Sequence, residues 1–197
     1  MASSMQPAGA SAEAQAGGKL APGLTIPFRS RPLDMILVLF FLVNIVFITY
    51  IVDIEQLTIP SYAQFLQTHQ YPLWPPPPLV DMVHSYGTQF DPLLLARPPW
   101  WKATIWIDAL GFGPFYAFAI YALIKGKNWI RLPSIIWASV MMTNVTIILS
   151  EEFSGPHATP QPVIVTLANL PWLLFPILTI VRMWRSEKPF TVPEAAS

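Results

Sequence analysis

Apolar positions in this chain gather into four unbroken runs. They cover Leu33–Val52, Ala103–Ile124, Leu132–Leu149 and Pro162–Trp184, with lengths of 20, 22, 18 and 23 residues. At about 1.5 Å of rise per residue, some 20 helical residues cross the ~30 Å hydrocarbon layer of a bilayer. In lipid every backbone N–H and C=O must be satisfied within its own segment, which makes the helix the natural spanning form. The pattern predicts an all-α polytopic membrane protein, a four-transmembrane-helix bundle with a long first loop.

The polar stretches complete the plan. Residues 1–32 are rich in Ala, Ser, Gly and Pro and contain no apolar run, so a flexible N-terminal tail is expected there. The transmembrane domain then covers 33–186, and 187–197 forms a C-terminal tail. A cleaved signal peptide is not expected, because the first apolar run begins at Leu33 and exceeds an h-region. A transit peptide stays open, since Glu13 is the only acid before Asp34. Segment 53–102 is too long for a simple connector. Within it Ser61–Thr68 and Leu79–Phe90 are predicted as short helices lying on the bundle's end. Pro75–Pro78 between them should form a stiff polyproline II spacer.

Composition sharpens this picture. Of 197 residues, 53% are hydrophobic and only 11% charged, with mean hydropathy +0.47. Soluble domains carry about 25% charged residues. Disorder is excluded and a soluble globule disfavoured. Eleven basic residues balance eleven acidic ones, so no nucleic-acid surface is indicated. The absence of cysteine removes disulfides, thiolate metal sites and a Cys nucleophile. Basic residues are unevenly placed. Lys19, Arg29, Arg31, Lys125, Lys127, Arg131, Arg182, Arg185 and Lys188 fall on the side of the termini, and only Arg97 and Lys102 on the other. That asymmetry predicts both termini in the cytoplasm. Trp100, Trp101, Trp129 and Trp184 stand at helix ends, where an indole gains by keeping one end wet.

Candidate chemistry begins with acids in the apolar runs, where a charge costs ~2.5–3.5 kcal/mol on insertion scales. Asp108 lies one to two turns into the second run, and Thr104, Asp108, Gly111 and Phe115 share a helical face predicted to point inward. Its carboxyl could bind a cation or serve as a structural acid. Asp53 ends the first helix one turn after Thr49, as a ligand-facing acid or a solvated interfacial carboxylate. Asp34, at that helix's start, reads as a favourable charge on the helix dipole. Asn44 falls on the side opposite Asp53, so the two should not face one pocket without a kink; a helix–helix hydrogen bond is its expected use. Ser139, Thr143, Thr146 and Ser150 form a stripe suited to helix packing. Gly113-Pro114, Pro171 and Pro176 interrupt their helices and can open a cavity. His69, His84 and His157 all fall in loops without ligand spacing, so neither a metal site nor another cofactor is expected. No nucleophile elbow is present.

Several short segments, taken in order, are familiar: Asp53 closing the first helix, Phe90-Asp91-Pro92-Leu93-Leu94, and Pro98-Pro99-Trp100-Trp101-Lys102. They continue with Gly126-Lys127-Asn128-Trp129-Ile130-Arg131-Leu132-Pro133, Glu151-Glu152-Phe153, and Pro171-Trp172-Leu173-Leu174-Phe175-Pro176. Over residues 33–186 the chain resembles the EXPERA-domain family, its sigma-2-receptor branch more than the branch of emopamil-binding protein, the sterol isomerase. The resemblance implies a four-helix endoplasmic-reticulum protein with a lipid-accessible cavity for sterols and cationic amphiphiles, acting in sterol or lipid homeostasis or trafficking. By motif position Asp53 looks like the acid that pairs with a ligand amine, and Asp91 like the loop acid that supports the site. Asp108 stands where the family has a glutamate, Trp172 where the branch has a pocket tyrosine, and Phe112 replaces a polar residue. Implied partners are a sterol or hydrophobic amine and membrane lipids; a homodimer or a membrane-protein partner stays open.

Two alternatives remain. Isomerisation in the related enzyme uses intramembrane His and Glu, and none of the four apolar runs contains either, so Asp108 alone would have to serve. The expectation is ligand binding rather than catalysis. The other alternative is a structural accessory or chaperone subunit of a membrane complex.

Overall fold

Proline, which makes up 22 of the residues, recurs at helix starts. It has no N–H to lose at the first helical turn, and its φ is already helical. The computed structural model describes residues 20–193. Its helices are α1 (Pro32–Thr58), α2 (Tyr62–Thr68), α3 (Pro77–Gln89), α4 (Pro92–Ala96), α5 (Pro99–Lys125), α6 (Asn128–Ser154) and α7 (Pro162–Trp184). All but α2 and α6 carry proline in the first turn. In α2 the Ser61 hydroxyl caps instead, accepting from the Gln64 amide at 3.3 Å. The four long helices are apolar enough to cross a membrane. The chain is an all-helical, multi-pass membrane protein.

The helices outrun the apolar runs. Helix α1 continues past Val52 to Thr58, and α6 past Leu149 to Ser154. Hydropathy stops at the first charges, whereas backbone hydrogen bonding continues as long as those charges find partners or a cavity. Glu55 and Glu152 therefore lie inside spanning helices, contrary to the expectation that no span holds a glutamate. The polyproline spacer is also not formed as predicted. Trp74–Pro75 is cis, and Pro77 and Pro78 begin α3. Helix α4, capped by Asp91, was not anticipated.

Helix α1 packs along α5, and α6 along α7. Ala119 and Ala122 of α5 are fully buried, and such small side chains let membrane helices approach closely. The core is largely aromatic. Phe40 stacks on Phe175 at 4.2 Å, and Trp137 lies edge-on to Phe41 at 5.0 Å. Leu39, Leu110, Phe118 and Leu167 face outward, as a lipid-facing surface requires. Ser139, Thr143 and Thr146 also face outward. Each hydroxyl donates to the carbonyl four residues back, so the stripe satisfies itself and does not pack this bundle.

At the end bearing the termini, Asp34 is a buried hub rather than a dipole effect. It accepts from Arg31 Nη1 at 2.6 Å and from Arg182 Nε and Nη2 at 2.9 and 3.1 Å, joining α1 to α7. Both guanidinium groups also lie over the Phe190 ring. Thr25 and Thr191 form an antiparallel bridge. Residues 20–31, assigned by composition to the tail, and 187–192 are thus drawn together over the bundle. Gly126 lets this happen: its φ is +63°, and a Cβ there would meet Thr25 Cγ2 at 2.3 Å. The tail expected over residues 1–19 lies outside the described residues.

Candidate ligand cavity

Two helices depart from α geometry on their inward faces. Asn44–Asp53 of α1 and Asp108–Phe112 of α5 are π-helical. In α5 the cause is local, because Pro114 lacks the N–H that would close the preceding α-turn. Widening to i→i+5 bonding turns the nine steps from Asn44 to Asp53 into about two full turns instead of two and a half. Both residues are therefore buried inward, although regular helical spacing predicts opposite sides.

The acids follow from this geometry. Asp108 Oδ1 accepts from the Thr49 hydroxyl at 2.8 Å and Oδ2 from the Tyr116 hydroxyl at 3.4 Å. Thr49 reaches it because Gly113 has no side chain; a Cβ there would sit 3.0 Å from Thr49 Cγ2. Asp53 stands beside Asp108, close enough for their carboxyls to interact, and its Oδ2 has no hydrogen-bond partner.

A second pair lies nearer the loop end. Asp91 caps α4, its Oδ1 accepting from the Leu94 amide at 3.2 Å. Glu152 stands beside it and is 1% exposed, and neither of its carboxylate oxygens receives a donor. Burial pushes the Asp91 carboxyl above the ordinary carboxylate range, while the Leu94 amide and the Glu152 contact pull it partly back. Burial, and then the charges of Asp91 and Glu152, likewise raise the Tyr86 phenol.

Both pairs line one cavity of about 370 Å³ between α1, α3, α4, α5, α6 and α7. Asp53, Asp91, Asp108 and Trp172, the site residues expected from sequence, all face it. Trp172 donates its indole N–H to Asn44 Oδ1 at 2.7 Å, the helix–helix bond expected of Asn44. Phe47, Phe112 and Met141 supply apolar wall. Pro171 restarts α7 after Asn169, and that break admits Ala168 and Asn169 to the lining. Pro176, by contrast, sits inside a continuous helix.

Among the described residues no lysine, arginine or histidine lines the cavity. Three bases at this end are engaged elsewhere. Arg97 Nη2 donates to both oxygens of buried Glu55 at 2.8 Å, Nε donates to the Leu94 carbonyl at 3.0 Å, and Nη1 donates to the Ile59 carbonyl. His84 Nε2 lies 2.8 Å from Glu55 Oε1. Lys102 Nζ donates to the Pro60 carbonyl.

A family model described as EXPERA (EXPanded EBP superfamily) matches residues 78–183, more than half of the chain. The chain belongs to the EXPERA family. It is similar to the Sigma intracellular receptor 2 of Xenopus tropicalis, 28% identical over 170 residues that cover 81% of this chain and 92% of the relative. The protein of that name from Macaca fascicularis is 29% identical, covering 82% and 92%. The one from Homo sapiens is 32% identical, covering 54% and 68%. Asp91, Asp108, Glu152 and Trp172 of this EXPERA chain fall inside the family match; Asp53 precedes it.

Glu152 is the lining residue that sequence reasoning passed over, together with Tyr86 and Gln56, which accepts from the Trp101 indole. A signal for Glu152 existed. Met141, Val145, Ile148 and Glu152 all line the cavity at spacings of four, three and four, one face of a helix. Ending the span at Leu149 hid the last of them.

Proposed function

We propose that this EXPERA protein binds sterols or cationic amphiphiles inside the membrane and acts in sterol or lipid homeostasis or trafficking. One observation carries the reading: among the described residues, a largely apolar cavity wall holds four carboxyl side chains and no base. Buried carboxylates need compensating charge or donors. A membrane-soluble amine supplies both, its ammonium between Asp53 and Asp108 and its hydrocarbon body on Phe112, Met141 and Trp172. A sterol would use the same apolar wall and offer one hydroxyl. The likeness to the EXPERA family supports a placement in the endoplasmic-reticulum membrane, and the lysine and arginine asymmetry supports both termini cytoplasmic with the long first loop lumenal.

The test is direct binding of a hydrophobic tertiary amine to the purified protein across pH 5–8. Affinity should weaken toward acid, as the acids that pair with the ammonium take up protons, while binding of a neutral sterol changes far less. An amine affinity flat across this range overturns the reading.

A second reading, sterol double-bond isomerisation, gains from Glu152, which places a glutamate inside a span and on the cavity wall. Under the binding reading a Δ8-sterol incubated with the protein is recovered unchanged. Conversion by the parent, lost in Glu152→Gln, would replace it.

A further inference from the structure

The carboxyls lie in two pairs at two depths. Glu152 is two residues from the loop-side end of α6, whereas Asp53 is five residues from that end of α1 and Asp108 nine from that end of α5. Glu152 thus lies within the last turn of its helix, while Asp53 and Asp108 lie more than one and more than two turns inside theirs, which sets the Asp53–Asp108 pair deeper than the Asp91–Glu152 pair. A single ammonium reaches acceptors within about 3 Å and cannot serve both.

Each pair also has its own unanswered group. Asp53 Oδ2 in the deep pair and both oxygens of Glu152 in the outer pair have no donor group and meet only the neighbouring carboxyl, and each side chain is at most 3% exposed. The bases that could have neutralised the outer pair from within the chain, Arg97 and His84, are bound to Glu55.

We infer that the cavity takes a dication: an amphiphile with two ammonium groups separated by a few methylenes, the first between Asp53 and Asp108 and the second between Asp91 and Glu152. This rests on the amine-binding reading above and adds the second charge. Tyr86, on the same wall and near both Asp91 and Glu152, adds an aromatic ring beside the outer pair.

The experiment compares N-dodecylbutane-1,4-diamine with 4-(dodecylamino)butan-1-ol, which keeps the length and the inner amine but ends in a neutral hydroxyl. Binding to the full chain is measured at pH 7 in zwitterionic nanodiscs, so that the bilayer does not favour the diamine. The parent should bind the diamine about tenfold more tightly or better. That ratio should fall to about one in Glu152→Gln and in Asp91→Asn, and should persist in Asp53→Asn, where both compounds bind more weakly. Asparagine still caps a helix, so Asp91→Asn removes the charge and keeps α4. A thermal unfolding transition on each variant confirms that it is folded. Equal, tight binding of both compounds by the parent, or a preference that survives in both Glu152→Gln and Asp91→Asn, overturns the second site alone. Failure of both compounds to bind the parent overturns the amine reading, and the second site with it.

Discussion

Asp53 and Asp108 are neighbours with unequal roles, and the difference lies in what already surrounds each oxygen. Asp108 is held by Thr49 and Tyr116, whereas Asp53 keeps one oxygen free inside the protein. Asp53→Asn should therefore remove an ion pair to a bound amine. Losing one partner of a desolvated charge pair costs ~2–5 kcal/mol, or roughly 30-fold to several thousand-fold in affinity. Asp108→Asn should cost ~0.5–1.5 kcal/mol, since it mainly supports by hydrogen bonding. Isothermal titration with one hydrophobic amine checks both, and an unchanged affinity in folded Asp53→Asn returns that residue to an interfacial role. Asp91 makes a separate prediction about stability. Its carboxyl is raised by burial, so from about pH 4 upward the unfolded chain loses that proton before the folded one does. The folded state then binds more protons, and this residue's contribution to stability falls as pH rises through that window. Thermal unfolding between pH 4 and 6 should show the decline, and Asp91→Asn should flatten it. An unaltered slope would contradict the burial argument.

At the level of elements, the loop end is locked by a cluster that never touches the cavity. Glu55 extends α1, Arg97 closes α4 with φ +49°, and His84 comes from α3. Their bonds hold these helices over the membrane helices. Removing one partner of a buried ion pair costs about 3–5 kcal/mol, because the other charge is left without compensation. Arg97→Ala should destabilise the protein by that amount in denaturant unfolding, and Glu55→Met combined with Arg97→Met should recover most of it. A loss below about 1 kcal/mol in Arg97→Ala would show that water reaches Glu55 and that the lock is not buried in solution. The π segments act at the same scale. The one in α1 turns Asn44 and Asp53 inward together, so the cavity depends on the helical wind of α1 as much as on its residues.

For the whole molecule, the two ends of the bundle differ in kind. One gathers both described terminal segments around Asp34 with Arg31 and Arg182, and the other carries α2, α3 and α4, of which α3 and α4 line the cavity. The charge asymmetry predicts that the first end faces the cytoplasm. In sealed microsomes protease should therefore digest both terminal tails, while tags placed within 61–90 stay protected. Protection of the N-terminus would reverse the topology. Bound ligand and fold are linked here, since anything that binds only the folded state stabilises it by mass action.

Four spans, their order and the all-helical class were legible in the sequence, because crossing lipid demands long apolar helices and leaves no alternative backbone. Asp53, Asp91, Asp108 and Trp172 could be named in advance, since an acid in an apolar run is costly enough to stand out and the short segments around these residues resemble a known family. The same hydropathy misled wherever a charge was answered in space. It ended α1 before Glu55 and α6 before Glu152, and it made Asp34 look like a helix-end charge. It could not see that Arg97 is bound to Glu55, which is what leaves the cavity without a cation. Nor could a fixed 100° per residue place Asn44 and Asp53 on one face, because α1 winds with the wider π turn between them. Pairing of charges and helical phase are properties of contacts between segments far apart in the chain, and only the tertiary structure decides them.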